Sequence, residues 1–252
     1  MKITFKSRCG ADVNLRILKG LAEKPALIFV HGFAGGMWDP QYRNYKKYFK
    51  SFGYTVVEMT QAHTMRFFPA DITNFHIQDL EVDLFKALNI LESLGYKKVI
   101  GIGHSLGGAI LLDFKHSALF GKVVINPFLK ATEMMRLNPQ QEIYDKIVKR
   151  GMIRMLKTFR RIKVTREIAD EVSKFDIMNR AENINGKILF ILGLKDLVAP
   201  FATAQEFVGM MKEKPQIEIF EKLGHGFFHP GMNEVMRKIN TSIHKWLNEQ
   251  NF

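Results

Sequence analysis

The chain of 252 residues is nearly without cysteine: Cys9 stands alone. A lone thiol has no intrachain partner, so a disulfide framework is excluded and a reducing compartment is compatible. Long apolar runs are missing too. The longest, 26–30 and 188–192, hold five residues each, against the roughly 20 that a membrane-spanning helix requires. The opening Met-Lys-Ile-Thr-Phe-Lys-Ser-Arg lacks the apolar stretch of a secretory signal. A soluble, cytoplasmic protein is therefore expected. Internal repeats and low-complexity segments are absent from the sequence. Acidic residues are scarce beside basic ones, 25 against 37, for a formal net charge of +12. That surplus is compatible with nucleic acid, an anionic membrane surface or an acidic substrate. Apolar residues, in contrast, make up 46% of the chain, which excludes global disorder. The length suits one large domain, or a domain carrying a sizeable insertion.

Hydrophobic patterning organises the chain. Strands are expected over 2–6 and 13–18, joined by a turn at Cys9-Gly10-Ala11-Asp12. Residues 26–30 are apolar without alternation, as in a strand buried on both faces. Helix 40–52, closed by Gly53, leads to strand 54–59, an irregular loop over 60–76, and helix 79–94, closed by Gly95. Strand 99–103, helix 106–116 and strand 122–125 follow. Residues 127–185 then break the rhythm, with a helical pattern and no convincing strand. Alternation resumes with strand 187–192, helix 202–211, strand 216–220 and helix 234–247. The fold class expected is α/β, with a mostly parallel, doubly wound sheet formed by 1–126 and 186–252. Residues 127–185 are too many for an ordinary loop, and a helical cap over one sheet edge is expected there.

One turn carries chemistry. Gly103-His104-Ser105-Leu106-Gly107 lies between an expected strand and an expected helix. A Ser at such a sharp turn is lifted out of the sheet, and Gly103 and Gly107 leave room for strand and helix to approach. The helix start supplies N–H groups that favour a developing oxyanion. Ser is a poor nucleophile by itself and needs a base, with a third group to orient the base. Both partners are expected beyond late strands, because ligands in open α/β sheets bind at carboxyl strand ends. Asp196 follows strand 187–192 directly, and Asp176 and Glu221 are weaker rivals for the acid. His225, between Gly224 and Gly226, follows the last strand, with His229 as competitor for the base. His104 is expected to point the other way and to pack or hydrogen-bond. Oxyanion donors are expected at the N–H groups of Leu106 and Phe33, the latter in the glycine-containing loop His31-Gly32-Phe33-Ala34-Gly35-Gly36. His31 is expected to hold that loop in shape.

Together, His31-Gly32-Phe33, the Gly103–Gly107 elbow, Asp196 and the Gly224-His225-Gly226 turn resemble the α/β-hydrolase family. The likeness covers almost the whole chain. Within the family the sequence is similar to serine esterase, monoacylglycerol-lipase and feruloyl-esterase-like members with a helical cap. The resemblance implies a carboxylic-ester hydrolase with Ser105, Asp196 and His225 as catalytic triad, acting on small or medium acyl esters through an acyl-enzyme. The elbow carries Ser105 and not the Asp nucleophile of the family's dehalogenases and epoxide hydrolases, which argues against both chemistries. Thioester, monoacylglycerol, amide and C–C bond hydrolysis remain open, since the same triad serves each, and a non-catalytic binding protein is a further alternative. No cofactor and no metal are expected: the eight His are scattered and form no metal-binding motif.

The charge surplus is local. Residues 146–166 carry nine basic side chains and no acid. Read as one continuous helix, the segment is amphipathic, with Val148, Met152, Met155, Phe159 and Ile162 on one stripe. A solvated cap face is the plain expectation. Peripheral contact with anionic lipid, or an inward Arg or Lys reading an acidic substrate, are the sharper ones. Nucleic acid is not expected as a partner, because no binding motif accompanies the charge.

Overall fold

The structure is a computed structural model and describes residues 1–33, 35–37, 40–61, 76–131, 153–155, 160–162, 171–226, 232–250 and 252. In chain order the first half gives β1 (Lys2–Lys6), β2 (Asp12–Leu18), β3 (Ala26–Val30), α1 (Pro40–Ser51), β4 (Thr55–Thr60), α2 (Ile77–Ser93), β5 (Val99–His104), α3 (Leu106–Asp113) and β6 (Leu119–Ile125). The second half gives β7 (Ile153–Met155), β8 (Arg160–Ile162), a short 3-10 helix (Met178–Asn183), β9 (Ile188–Gly193), α4 (Phe201–Met210), β10 (Gln216–Phe220) and α5 (Met232–Glu249).

Eight strands form one sheet in the order β1-β2-β4-β3-β5-β6-β9-β10. β2 is antiparallel to both β1 and β4, and every pair from β4 to β10 is parallel. The alternation hidden in the apolar runs is real and two-sided. In β3, Ala26, Ile28 and Val30 join one core with residues of α2, α3 and α4. Leu27 and Phe29 join a second core with residues of α1 and α5. β9 divides in the same way, with Ile188, Phe190 and Leu192 on the first side and Leu189 and Ile191 on the second. A strand covered on both faces has no polar side to show, so its sequence reads as continuously apolar.

The sheet reverses its direction of growth between β3 and β5: β4 is added on one side of β3 and β5 on the other. Carboxyl ends of strands beside such a reversal are the usual ligand position in open α/β sheets, and the loops after β3 and β5 meet there. Parallel strands β6, β9 and β10 deliver their carboxyl ends to the same side.

Several expectations need correction. α3 ends at Asp113, three residues before the expected stop, and β6 begins at Leu119, three residues earlier than expected. The chain leaves the helix early because Phe114 turns to an extended conformation. Residue Ala118 then accepts a hydrogen bond from Val99 N–H at 2.8 Å, pulling the chain into the sheet. The reading of 127–185 as free of strands, and of 146–166 as one continuous helix, fails at β7 and β8. These pair antiparallel, Ile153 opposite Ile162 and Arg154 opposite Arg161. Strands of three residues leave too short a pattern to separate from a helical turn, and a four-residue connection suits a hairpin. The remainder of the 146–166 segment lies outside the described residues. Past it, Glu171 anchors the returning chain: its carboxylate accepts Ile77 N–H at 2.9 Å at the start of α2 and lies 3.2 Å from His76 Nδ1.

Candidate active site

The turn between β5 and α3 is tight because two glycines permit it. A Cβ on Gly103 would lie 2.6 Å from Gly107 O, and one on Gly107 would lie 2.4 Å from Val30 O. Gly101 matters as well, since a Cβ there would meet Leu111 of α3 at 2.6 Å. α3 therefore lies directly on β5 and β3. Ser105, at the apex, has φ +55° and ψ −124°, a conformation that L-residues rarely adopt and that surrounding structure must impose. Ser105 N–H donates to Ile125 O at 3.1 Å, and its carbonyl accepts from Phe128 N–H at 3.1 Å and from Ala109 N–H at 3.0 Å.

The structure brings Ser105, His225 and Asp196 into one hydrogen-bonded chain. His225 Nε2 lies 2.9 Å from Ser105 Oγ, and His225 Nδ1 lies 2.8 Å from Asp196 Oδ2. A carboxylate accepts only, so Nδ1 carries the proton and Nε2 accepts from the Ser105 hydroxyl. Asp196 is oriented before it meets the ring. Its Oδ1 accepts from Val198 and Ala199 N–H, both at 2.8 Å, which leaves Oδ2 for His225. Its side chain is fully buried, while that of His225 is 21% exposed. The base is thus reachable from outside and the acid is not.

The rivals stand elsewhere. Asp176 Oδ1 accepts Met178 N–H at 2.8 Å at the start of the 3-10 helix, and the residue pairs with Lys130 across a β-bridge. Glu221 is exposed in the turn after β10, and His229 lies outside the described residues. The expectation that His104 points away from the site is overturned. Its ring centroid lies 5.0 Å from that of His225, and its Nε2 donates to His225 O at 3.0 Å. Burial, then the neighbouring His225 and His31, lower its pKa to about 3. His31 is fully buried, and burial lowers its pKa to about 4. Its Nδ1 lies 3.0 Å from Gly32 O and its Nε2 is 3.4 Å from Gln61 N. Nδ1–H therefore donates and Nε2 accepts, so this neutral ring joins the loop after β3 to the end of β4.

The loop after β3 touches the turn itself. A Cβ on Gly32 would lie 2.9 Å from Ser105 Cβ, so only glycine lets the backbone come this close. Phe33 follows at once, and Gly35 N–H closes a turn onto Gly32 O at 3.0 Å. Leu106 is the first residue of α3, where an N–H has no intrahelical acceptor. The two donors expected from sequence thus belong to segments on either side of Ser105.

Asn126 was not among the expected site residues. It is buried, has φ +43°, and bonds to the turns that carry Asp196 and His225. Its signal was a polar Asn-Pro pair at the carboxyl end of a buried strand, a dipeptide that ordinarily reads only as a turn. Among the described residues, no group of three or more His, Cys, Asp or Glu is placed to hold a metal.

A model of the alpha/beta hydrolase family matches residues 27–236. The chain belongs to this family. Solved structures agree in fold at low identity. Est1E from Butyrivibrio proteoclasticus, solved with ferulic acid bound, has a TM-score of 0.75 at 12% identity, covering 98% of this chain and 99% of that one. The esterase EaEST from Exiguobacterium antarcticum has a TM-score of 0.71 at 15% identity, over 98% and 100%. Mouse alpha/beta hydrolase domain-containing protein 10 has 0.72 at 15%, over 97% and 99%. No curated protein sequence matches this α/β-hydrolase.

Proposed function

We propose that this α/β-hydrolase is a serine esterase, cleaving carboxylic esters of small or medium acyl groups through an acyl-enzyme. The observation that carries the reading is the hydrogen-bonded chain from Asp196 through His225 to Ser105, 2.8 and 2.9 Å long at its two links. Ser105 Oγ attacks the acyl carbon as His225 Nε2 takes its proton. Negative charge that develops on the carbonyl oxygen is met by the N–H groups of Leu106 and Phe33. His225 then delivers the proton to the departing alkoxide, and the alcohol leaves. Water, deprotonated by the same His225, attacks the acyl-Ser105 carbon and restores the hydroxyl. Asp196 holds the imidazole tautomer and stabilises its cation throughout. The esterase Est1E bound to ferulic acid and the esterase EaEST share the fold and support this class of substrate.

The test is a panel of p-nitrophenyl acyl esters of increasing chain length. Wild type turns over the short and medium members. Ser105→Ala retains the wild-type melting temperature and loses turnover by about 10⁴-fold or more. Full activity in that variant removes Ser105 from the mechanism.

A further inference from the structure

Asn126 stands where all three members of the hydrogen-bonded chain are held. It directly follows β6, and its neighbours grip the elbow: Ile125 O accepts from Ser105 N–H, and Phe128 N–H donates to Ser105 O, each at 3.1 Å. Its own N–H donates to Ile191 O of β9 at 2.9 Å. Its side chain reaches the other two turns. Oδ1 accepts from Gly193 N–H at 2.8 Å, three residues before Asp196. Nδ2 donates to Gly224 O at 3.1 Å, one residue before His225. The amide is satisfied by one acceptor and one donor on two different loops, a pairing that neither Asp nor Leu of similar size reproduces.

The backbone of Asn126 sits at φ +43°, which most residues avoid. Together with Ser105 it is one of two non-glycine residues with positive φ among those described. Strain of this kind persists where the surroundings over-determine it, and it clusters at functional sites. The base turn is gripped at two successive carbonyls: Gly224 O by Asn126 and His225 O by His104 Nε2. The acid and base turns also share a backbone link, Lys195 N–H to Leu223 O at 3.0 Å. Asn126 adds what that link lacks, a connection from both turns back to the strand that holds Ser105.

We infer that Asn126 is a positioning residue that sets the distance from Ser105 to His225 by fastening the Gly193 and Gly224 backbones to the end of β6. The inference rests on the serine-esterase reading, and its test separates the two. Glycine adopts a positive φ freely, so Asn126→Gly removes both side-chain bonds without adding strain. A misplacement of about 1 Å between reacting groups costs roughly 100-fold in rate. Asn126→Gly is therefore expected to lose about 100-fold in kcat and in the rate of fluorophosphonate labelling of Ser105, with KM within about twofold. In an Asp196→Asn background the same substitution should lower the labelling rate by less than about threefold, because residues that act as a unit are not additive. A merely structural contribution would lower both backgrounds equally.

Wild type labelled at Ser105 with Asn126→Gly labelled at the wild-type rate overturns this inference and leaves the esterase reading standing. Wild type left unlabelled overturns both. Should Asn126→Gly fail to fold, Asn126→Asp keeps the acceptor for Gly193 and replaces the donor to Gly224 O with a repelling carboxylate oxygen. A loss of about tenfold or more in kcat is then expected, and wild-type kcat overturns the assignment.

Discussion

The elbow and the two turns facing it are held by different means. The elbow is held largely by space, with two backbone bonds from Ser105 to Ile125 and Phe128 besides: glycines 101, 103 and 107 let α3 lie against β5 and β3, and almost every relevant contact lies within a dozen residues or one neighbouring strand. The Asp196 and His225 turns are held by directed hydrogen bonds between residues far apart in sequence, from Asn126 to Gly193 and Gly224 and from His104 to His225. Steric exclusion is local and unforgiving. Hydrogen bonds between loops are individually modest, and they matter here through the distances they set. Ser105 therefore sits in the sterically packed half of the site, and Asp196 and His225 in the half hung on long-range hydrogen bonds.

Breaking the hydrogen-bonded half at its most buried group has the largest effect. Asp196→Asn keeps the volume and one acceptor oxygen but favours the wrong imidazole tautomer. A fall of roughly 10⁴-fold in kcat is expected, with a circular-dichroism spectrum and melting temperature close to wild type. Breaking the sterically packed half shows up in stability instead. Gly107→Ala puts a methyl 2.4 Å from Val30 O, and backbone on both sides must shift. We expect a loss of about 3 kcal/mol in urea unfolding, with activity falling in step.

The third prediction concerns pH and the neutral ring that joins the loop after β3 to β4. The folded-state pKa of His31 is lowered to about 4 by burial. The unfolded chain binds a proton near pH 6.5, and the folded protein resists it until about pH 4. Stability is fully present above 6.5 and declines as pH falls through that window, by about 3 kcal/mol from this group. His31→Gln should flatten the slope of unfolding free energy against pH between 6.5 and 4. An unchanged slope shows that the ring is not the source. The smallest effect belongs to the rejected acid. Asp176→Asn weakens one cap on Met178 N–H, costing about 1 kcal/mol or less, with kcat unchanged. A large kcat loss there reopens the choice of acid.

Much of this molecule is legible in the sequence alone. The parallel strands were visible because burial on both faces removes polar residues from them, as in 26–30 and 188–192. The elbow was visible because its steric demands fall on adjacent residues. Position after β9 marked Asp196, and position after β10 marked His225, since ligands gather at carboxyl strand ends. The β7–β8 hairpin was missed because a three-residue strand leaves too short a pattern to separate from a helix turn. His104 does hydrogen-bond, as expected, but toward His225, because adjacency to Ser105 in sequence says nothing about which neighbouring loop its ring will meet.

The sequence by itself determined the periodicities, the strained glycine-flanked turn and the order in which Ser105, Asp196 and His225 occur. These are local properties, written in neighbouring residues by sterics and burial. Tertiary structure alone decided that His104 supports the base turn from beneath, and that Asn126 ties three strand ends together. Both depend on hydrogen bonds between segments some 67 to 121 positions apart. Such bonds exist only once the sheet has brought those carboxyl ends side by side, and a polar residue before a proline carries no mark of them.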